Sequence, residues 1–165
     1  MRFSLRTLLF ATALVAILFA IPVRRAILQK RGRDWVASQK GHVTFSHKYD
    51  ETRNAYDHRA TLRTPAWIIN LVGIDFIDSV DTVVLDNTML EDLSPITDLR
   101  DLRVLGIIIE IDDELDFSPL GDLAKLRHLH LDYTDISAER LAQLRKTLPH
   151  VRVDATNHPT PANSK

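Results

Sequence analysis

Residues 93–99 read LSPITDL and residues 117–123 read FSPLGDL, and the two segments align at an offset of 24 residues. A second pattern, L-x-x-L-x-L-x-x-[NT]-x-L, starts at Val80 and again at Leu126, with a shorter copy that starts at Leu102. The two leucines of L-x-L project to one side of a short strand, and the residue between them projects to the other side. The apolar positions of LSPITDL have a period of three, which favours a short helical return. Each unit is therefore predicted to be a strand, a turn and a short helix, and stacked units bury one continuous core.

These units resemble those of the leucine-rich repeat family. Residues 90–102, with the pattern L-x-D-L-S-P-I-x-x-L-x-x-L, are similar to the internalin-like subtype of bacteria, and residues 133–141 are similar to a ribonuclease-inhibitor-like unit. The resemblance covers about Trp67–Val153 and implies an α/β fold. That fold is a short leucine-rich repeat solenoid of about three units, with a parallel strand ladder and short helices. The alternative is that these leucines form the core of another α/β fold.

Two serine–proline pairs mark the predicted starts of the short helices. Ser94 and Ser118 are residue types that cap helix N-termini well, and Pro95 and Pro119 follow them at the first helical position. The ladder position that is usually Asn in this family is occupied by Thr88 and Thr134.

Residues 7–23, TLLFATALVAILFAIPV, contain no charged side chain. A spanning helix needs roughly 17–25 residues, whereas the apolar part of a secretory signal usually has about 7–15. A signal cleavage site also requires small residues, and this segment ends in the large residues Leu18, Phe19 and Ile21. We therefore expect an uncleaved, single-pass anchor in the cell membrane. A cleaved signal on a secreted structural module and a buried core helix are the alternatives.

The charge is unevenly distributed along the chain. Residues 1–33 contain seven of the 21 Lys and Arg residues and no acidic residue, so the remaining 14 and all 22 Asp and Glu residues fall in residues 34–165. An acidic body argues against nucleic acid as a partner. The cations that follow the apolar segment favour a cytoplasmic body. The short basic start before an apolar run is instead typical of a signal anchor, and we expect the body to be extracytoplasmic.

The region between the apolar segment and the repeats is predicted to cap the core. A helix is expected at Arg24–Lys40 with Gly41 as its terminating residue, then a half-buried strand at His42–Asp50 and a loop at Glu51–Thr64. The front cap is assigned to Arg33–Asp75 with Trp67 as its anchor, and the rear cap to Leu141–Val153, which includes a final strand. The predicted division is 1–32 for the transmembrane anchor, 33–66 for the juxtamembrane helix, strand and loop, 67–153 for the repeats and 154–165 for a disordered tail.

The outward positions of the strands form the predicted binding surface. A partly apolar strand face with a polar rim suits an unknown protein or peptide partner, although β propensity alone also places Val and Ile there. The predicted binding residues are Thr82, Val84, Asp86, Val104, Gly106, Ile108, His128, His130 and Asp132.

Two groups of polar residues could carry other chemistry. His128, His130 and Asp132 are a permissible metal-ligand set, and a metal-dependent or hydrolytic activity there is the alternative function. Exposed polar side chains on a strand are the simpler interpretation. The acidic run Glu110–Asp116 lacks the glycine and the closing glutamate of an EF-hand, so a solvated loop is expected.

The sequence excludes several classes of site. The chain has no cysteine, so it contains no disulfide, thiolate metal site or cysteine nucleophile. Its five glycines form neither of the common nucleotide-binding loops. The G-x-S-x-G and H-E-x-x-H motifs are also absent. We therefore expect a non-catalytic protein with no cofactor and no resident metal.

Overall fold

The computed structural model describes residues 5–50, 55–57, 59–86, 90–108, 114–132 and 136–156. The predictions made for Thr88, for Thr134, for residues 110–113 of the acidic run and for residues 157–165 of the tail lie outside these residues. The helices are α1 (Leu5–Ser38), α2 (Ala66–Val72), α3 (Ile74–Ile77) and α4 (Ala138–Thr147), with 3-10 turns at Ser46–Lys48, Ser94–Asp98 and Ser118–Asp122. The strands are β1 (His42–Phe45), β2 (Tyr49–Asp50), β3 (Ala55–Tyr56), β4 (Val80–Leu85), β5 (Val104–Ile108), β6 (His128–Asp132) and β7 (Arg152–Thr156).

The fold is mixed α/β and is built on a mostly parallel five-stranded sheet. Strands β4, β5, β6 and β7 are parallel neighbours in chain order, and β1 adds to the β4 edge in the antiparallel direction. Leu85 pairs with Ile107, and Ile107 pairs with Leu131. The prediction of β4, β5, β6 and β7 as side-by-side strands is therefore confirmed, whereas the pairing of β1 with β4 was not predicted.

The core lies between the inner face of the sheet and the short returns. The inward rows of the parallel strands are almost completely buried, and so are the apolar positions of the two aligned returns. These residues are Val83, Leu85, Leu105, Ile107, Leu129, Leu131 and Val153 in the sheet, and Leu93, Ile96, Leu99, Phe117, Leu120 and Leu123 in the returns. Burial of a Leu, Ile or Phe side chain contributes roughly 1.5–3 kcal/mol, so these two layers supply most of the driving force for folding.

The two 3-10 turns are capped by aspartates rather than by the predicted serines. Leu93 and Phe117 occupy the N-cap positions without a side-chain capping hydrogen bond, and Ser94 and Ser118 are the first residues of the turns. Instead, the Oδ1 atoms of Asp92 and Asp116 accept hydrogen bonds from the Ser94 and Ser118 N–H groups at 2.8 and 2.9 Å. Hydrogen bonds from these serines lower the pKa of both carboxyl groups. The predicted prolines do occupy the first helical turn.

Helix α1 ends in a Schellman motif, and the residue that terminates the helix is one position earlier than expected. Lys40 has a φ of 57°, and the Gly41 N–H donates to the Val36 carbonyl at 2.9 Å. Gly41 was predicted to terminate the helix, but Lys40, one residue earlier, is the left-handed residue that ends it. Glycine is needed at 41 for space, because a Cβ there would lie 2.8 Å from Val36 Cγ1 and 2.8 Å from the Val84 carbonyl oxygen.

The segment that follows α1 differs from the prediction in two places. The expected strand His42–Asp50 is interrupted by the 3-10 turn at Ser46–Lys48, because the chain turns there and its second half pairs with β3 in a small hairpin. The segment predicted to be a loop therefore contributes a strand. Trp67 is 67% exposed and does not anchor the front cap. Val36 of α1 is completely buried in the core and anchors the front of the molecule instead.

Candidate functional site

The outward residues of the sheet form cross-strand rows. One row follows the register His42, Val84, Gly106, His130 and Asp154. A second row contains Thr44, Thr82, Val104, His128 and Arg152, and a third contains Ile108, Asp132 and Thr156. Eight of the nine predicted binding residues thus lie in these rows, and the ninth, Asp86, follows β4 and is exposed.

A residue without a side chain lies in the middle strand of the outer face. Gly106 is buried although it lies in an outward row, and a Cβ placed there would come within 3.6 Å of Val84 Cγ2, which is ordinary contact. Ile108 is 40% exposed, whereas Val84 and Val104 are half-buried. The exposed apolar part of this face is therefore centred on Ile108, with half-buried Val84 and Val104 on the same face.

The hairpin of β2 and β3 lies against one side of this face, and the sequence did not predict it. The Tyr56 hydroxyl donates to Asp81 Oδ2 at 2.5 Å and also contacts the Thr82 hydroxyl. Burial and the hydrogen bond to Asp81 raise the pKa of Tyr56 to about 12. Arg103 binds Asp81 Oδ1 and lies over the Tyr49 ring at 5.1 Å. Tyr49 and Tyr56 are aromatic residues, which favour strands, and they are the feature of the sequence that could have predicted this pair of strands.

The two histidines of β6 meet a carboxylate from β7. His128, His130 and Asp154 each offer one ligand atom, and these atoms lie within 4.8 Å of one another. The histidine rings are stacked with centroids 6.1 Å apart. The alternative metal set in the sequence analysis named Asp132, but Asp154 takes its place because it pairs with His130 across the sheet. Position 154 lies 24 residues after His130, which is the offset between the two aligned segments. The sequence could therefore have predicted this pairing.

The second half of α1 is fixed to the body by ion pairs and one buried amide. Arg25 binds Asp101, whose other oxygen accepts from Lys125 Nζ at 2.7 Å. Arg31 binds both oxygens of Asp98, and Arg33 lies 3.0 Å from Asp75. These contacts join α1 to the returns and to α3. The Arg cluster was read from the sequence only as a charge flanking the apolar segment.

Gln29 and Gly32 lie where α1 packs closely on the body. Gln29 is 4% exposed, and its Nε2 donates to the Asp78 carbonyl oxygen at 2.7 Å. A Cβ at Gly32 would lie 2.9 Å from Leu99 Cγ, so only glycine lets the helix pack this closely on the return. The Asp78 carboxylate holds the Ser46 and His47 side chains of the next segment. Burial acts to raise the pKa of Asp78, but the hydrogen bonds from Ser46 and His47 lower it.

The first half of α1 has the opposite environment. Its large apolar side chains are exposed, with Phe10 at 78% and Ile17 at 63%. By length and composition, α1 is the one helix in the described part of the chain that could cross a membrane, and a signal sequence near an N-terminus would meet the same criterion. No family model matches the chain, and neither a curated protein nor a solved structure shows significant similarity to it.

Proposed function

We propose that this protein is a single-pass, membrane-anchored leucine-rich repeat module whose outer sheet face binds a protein or peptide. The observation that carries the proposal is the outer face itself, where the exposed Ile108 follows Gly106 on the middle strand, and half-buried Val84 and His130 pair with Gly106 from the neighbouring strands. An apolar centre with polar side chains around it is the usual composition of a protein-binding surface. The two aligned returns and the chain-order parallel strands support the repeat assignment.

The structure of α1 supports a role as a fixed anchor. The helix continues from its exposed apolar half into the half that binds the body, with Pro22 inside it. A proline removes one backbone hydrogen bond and commonly bends a helix. Because Gln29 and Val36 are buried against the body, the binding face would be held at a set distance from the bilayer rather than on a flexible linker.

An extracytoplasmic body is part of the proposal. The count of cations after the apolar segment argues for the cytoplasmic side. However, Arg25, Arg31 and Arg33 each bind an aspartate of the body, so their presence has a structural reason that is independent of topology. Protease treatment of intact and opened cells tests this directly. Digestion of the body in intact cells is expected, and protection would place the body inside.

The binding face is tested with the double variant Val84→Lys and Ile108→Lys in the full chain. Two lysines on this face should abolish recovery of a crosslinked partner because they place charge on the apolar centre. The matched control is Ala124→Lys with Ala142→Lys, which adds the same charge at exposed positions away from the sheet. Both proteins should keep the wild-type circular dichroism. Equal recovery by the two variants would eliminate the outer face as the binding site.

A second candidate function is favoured by the cluster of His128, His130 and Asp154. Two imidazoles and one carboxylate suit Zn²⁺ or a similar divalent transition metal, and such a set leaves a coordination position open. Arg152 lies 3.1 Å from Asp154 Oδ2 and would compete with the ion for this carboxylate. We therefore rank metal binding below partner binding.

Zinc titration of the purified full chain in detergent tests the second candidate. The wild type should bind one ion, and Asp154→Asn should weaken binding about 10-fold or more through loss of one ligand. Asp132→Asn is the matched control, because Asp132 lies on the same strand as both histidines but outside the cluster. Equal binding by both variants, or none by the wild type, would exclude this metal site.

A further inference from the structure

Five exposed apolar side chains line one groove where the apolar segment of α1 ends, and a sixth, Trp67, lies one turn earlier on α2. Val23 and Ile27 come from α1, Trp67, Leu71 and Val72 from α2, and Phe76 from α3; we call this set the α1–α2 patch. Their exposed fractions range from 38% at Phe76 to 76% at Leu71. Soluble proteins rarely expose a contiguous apolar surface of this kind unless it binds something. The patch is separate from the outer sheet face.

The geometry of the patch depends on the turn between α2 and α3. Gly73 has a φ of 86°, a backbone conformation that favours glycine, and it lets α3 turn back beside α1. As a result, Leu71, Val72 and Phe76 line one groove of about 580 Å³ together with Val23 and Ile27. Trp67 lies one turn before Leu71 and therefore on the same side of α2.

The position of the patch along α1 places it at the membrane surface. Val23 is the last residue of the uncharged segment, and Ile27 is one helical turn, about 6 Å, further along. The headgroup layer on each side of a bilayer is roughly 5–8 Å thick. The groove around Val23 and Ile27 therefore lies at the depth of the headgroups when α1 spans the bilayer.

The charges beside the patch match a lipid surface. Arg24 follows Val23 directly, and Lys30 and Arg33 line the groove at the end away from the apolar segment. Asp75 is the acidic residue in the groove lining, and Arg33 binds it at 3.0 Å. Cations at this depth attract anionic headgroups, and tryptophan favours the same layer because its ring is apolar and its N–H is polar.

We propose that α2 and α3 dock on the bilayer surface through the α1–α2 patch, so that the body lies against the membrane instead of projecting from it. This inference rests on the proposed function, because it needs α1 to span the bilayer. The occupant of the groove is the boundary between lipid headgroups and acyl chains, preferably of anionic lipids. The acidic remainder of the body would be repelled by the same lipids, which favours this one orientation.

Depth-dependent quenching of Trp67 tests the docking. The full chain is reconstituted into vesicles of phosphatidylcholine and phosphatidylglycerol that carry bromine near the top of the acyl chains. The emission of Trp67 is the difference between the wild type and Trp67→Phe, since Trp35 is present in both and packs against the core. Docking predicts loss of most of this emission. Full Trp67 emission in a chain that floats with the vesicles would overturn the docking and leave the anchor intact, whereas a chain that does not float would overturn both.

A charged substitution separates docking from other uses of the patch. Leu71→Glu should restore the Trp67 emission because a carboxylate resists entry into the headgroup–acyl boundary. Ile108→Glu is the matched control, since it places the same charge on an exposed apolar residue of the sheet and should leave the quenching unchanged. Unchanged quenching in Leu71→Glu would overturn the proposal. Crosslinking between two copies through residue 71, with an unquenched Trp67, would overturn it in favour of a dimer.

Discussion

The two halves of α1 belong to one helix but follow opposite rules of burial. In the first half Phe10 and Ile17 are exposed, whereas in the second half the polar Gln29 is 4% exposed. Water favours the reverse arrangement in both cases. The second half is therefore adapted to the body, through Gly32 and the aspartates that bind its arginines, whereas the first half is adapted to some other environment. A lipid bilayer would provide that environment.

The largest effect on stability is expected when a larger side chain replaces Gly32 at its contact with Leu99. Gly32→Leu forces α1 away from Leu99 and should reduce the free energy of unfolding by about 1–3 kcal/mol, the usual cost of overpacking. Urea unfolding of the full chain in detergent, followed by near-UV circular dichroism, measures it. Ala16→Leu is the matched control in the exposed half and should not change the stability of the body. Equal effects of the two substitutions would mean that the two halves of α1 do not differ in how closely they pack against the body.

The next effect concerns the buried amide of Gln29. Gln29→Ala removes the hydrogen bond to the Asp78 carbonyl and should cost about 0.5–1.5 kcal/mol, the usual net contribution of an intramolecular hydrogen bond. Thr12→Ala removes a side-chain hydrogen bond to the Leu9 carbonyl in the exposed half and should leave the body unaffected. The same unfolding measurement applies. A neutral Gln29→Ala would show that this buried amide does not help to hold α1 against the body.

The sequence predicted the sheet much better than the front of the molecule. Strong alternation and a 24-residue offset located β4, β5, β6 and β7, because each inward leucine has a buried partner on the neighbouring strand. The front is held by single contacts between residues far apart in the chain, such as Gln29 with Asp78 and Val36 with the core. Such contacts have no period, so the pairing of β1 with β4 and the exposure of Trp67 could not be predicted from patterning.

The candidate site was also predicted in part. The outward positions follow from strand alternation, so eight of the nine residues lie in the cross-strand rows. The third member of the histidine cluster was missed because a carboxylate on the same strand was chosen over one on the next strand. The position of Tyr56 against Asp81 depends on the hairpin, for which the polar segment before it gives little signal.

A smaller effect is expected from acidification. Burial acts to raise the pKa of Asp101, but hydrogen bonds and charge from Lys125 and Arg25 lower it below the ordinary value of 3.8. A lowered folded-state pKa contributes stability that is fully present above the unfolded-state value and is lost as the pH falls through the folded-state value. Unfolding should therefore become easier below about pH 4, and Asp101→Asn should reduce that dependence. An unchanged pH profile in Asp101→Asn would contradict the assigned role.

The smallest effect on stability is expected when Arg31 is replaced. The size of this effect shows how much of the contact between α1 and the body is electrostatic. The hydrogen bond and charge of Asp98 raise the pKa of Arg31, yet the Arg31 side chain is 70% exposed and solvent weakens the pair. Arg31→Ala should cause a small loss of stability compared with Gln29→Ala, and the loss should shrink as salt is added. Arg24→Ala removes an exposed cation from the same helix and serves as the control. If Arg31→Ala lowers the free energy of unfolding at high salt as much as Gln29→Ala does, then ion pairs and not close packing hold α1 against the body. The two halves of α1 would then differ in charge rather than in shape.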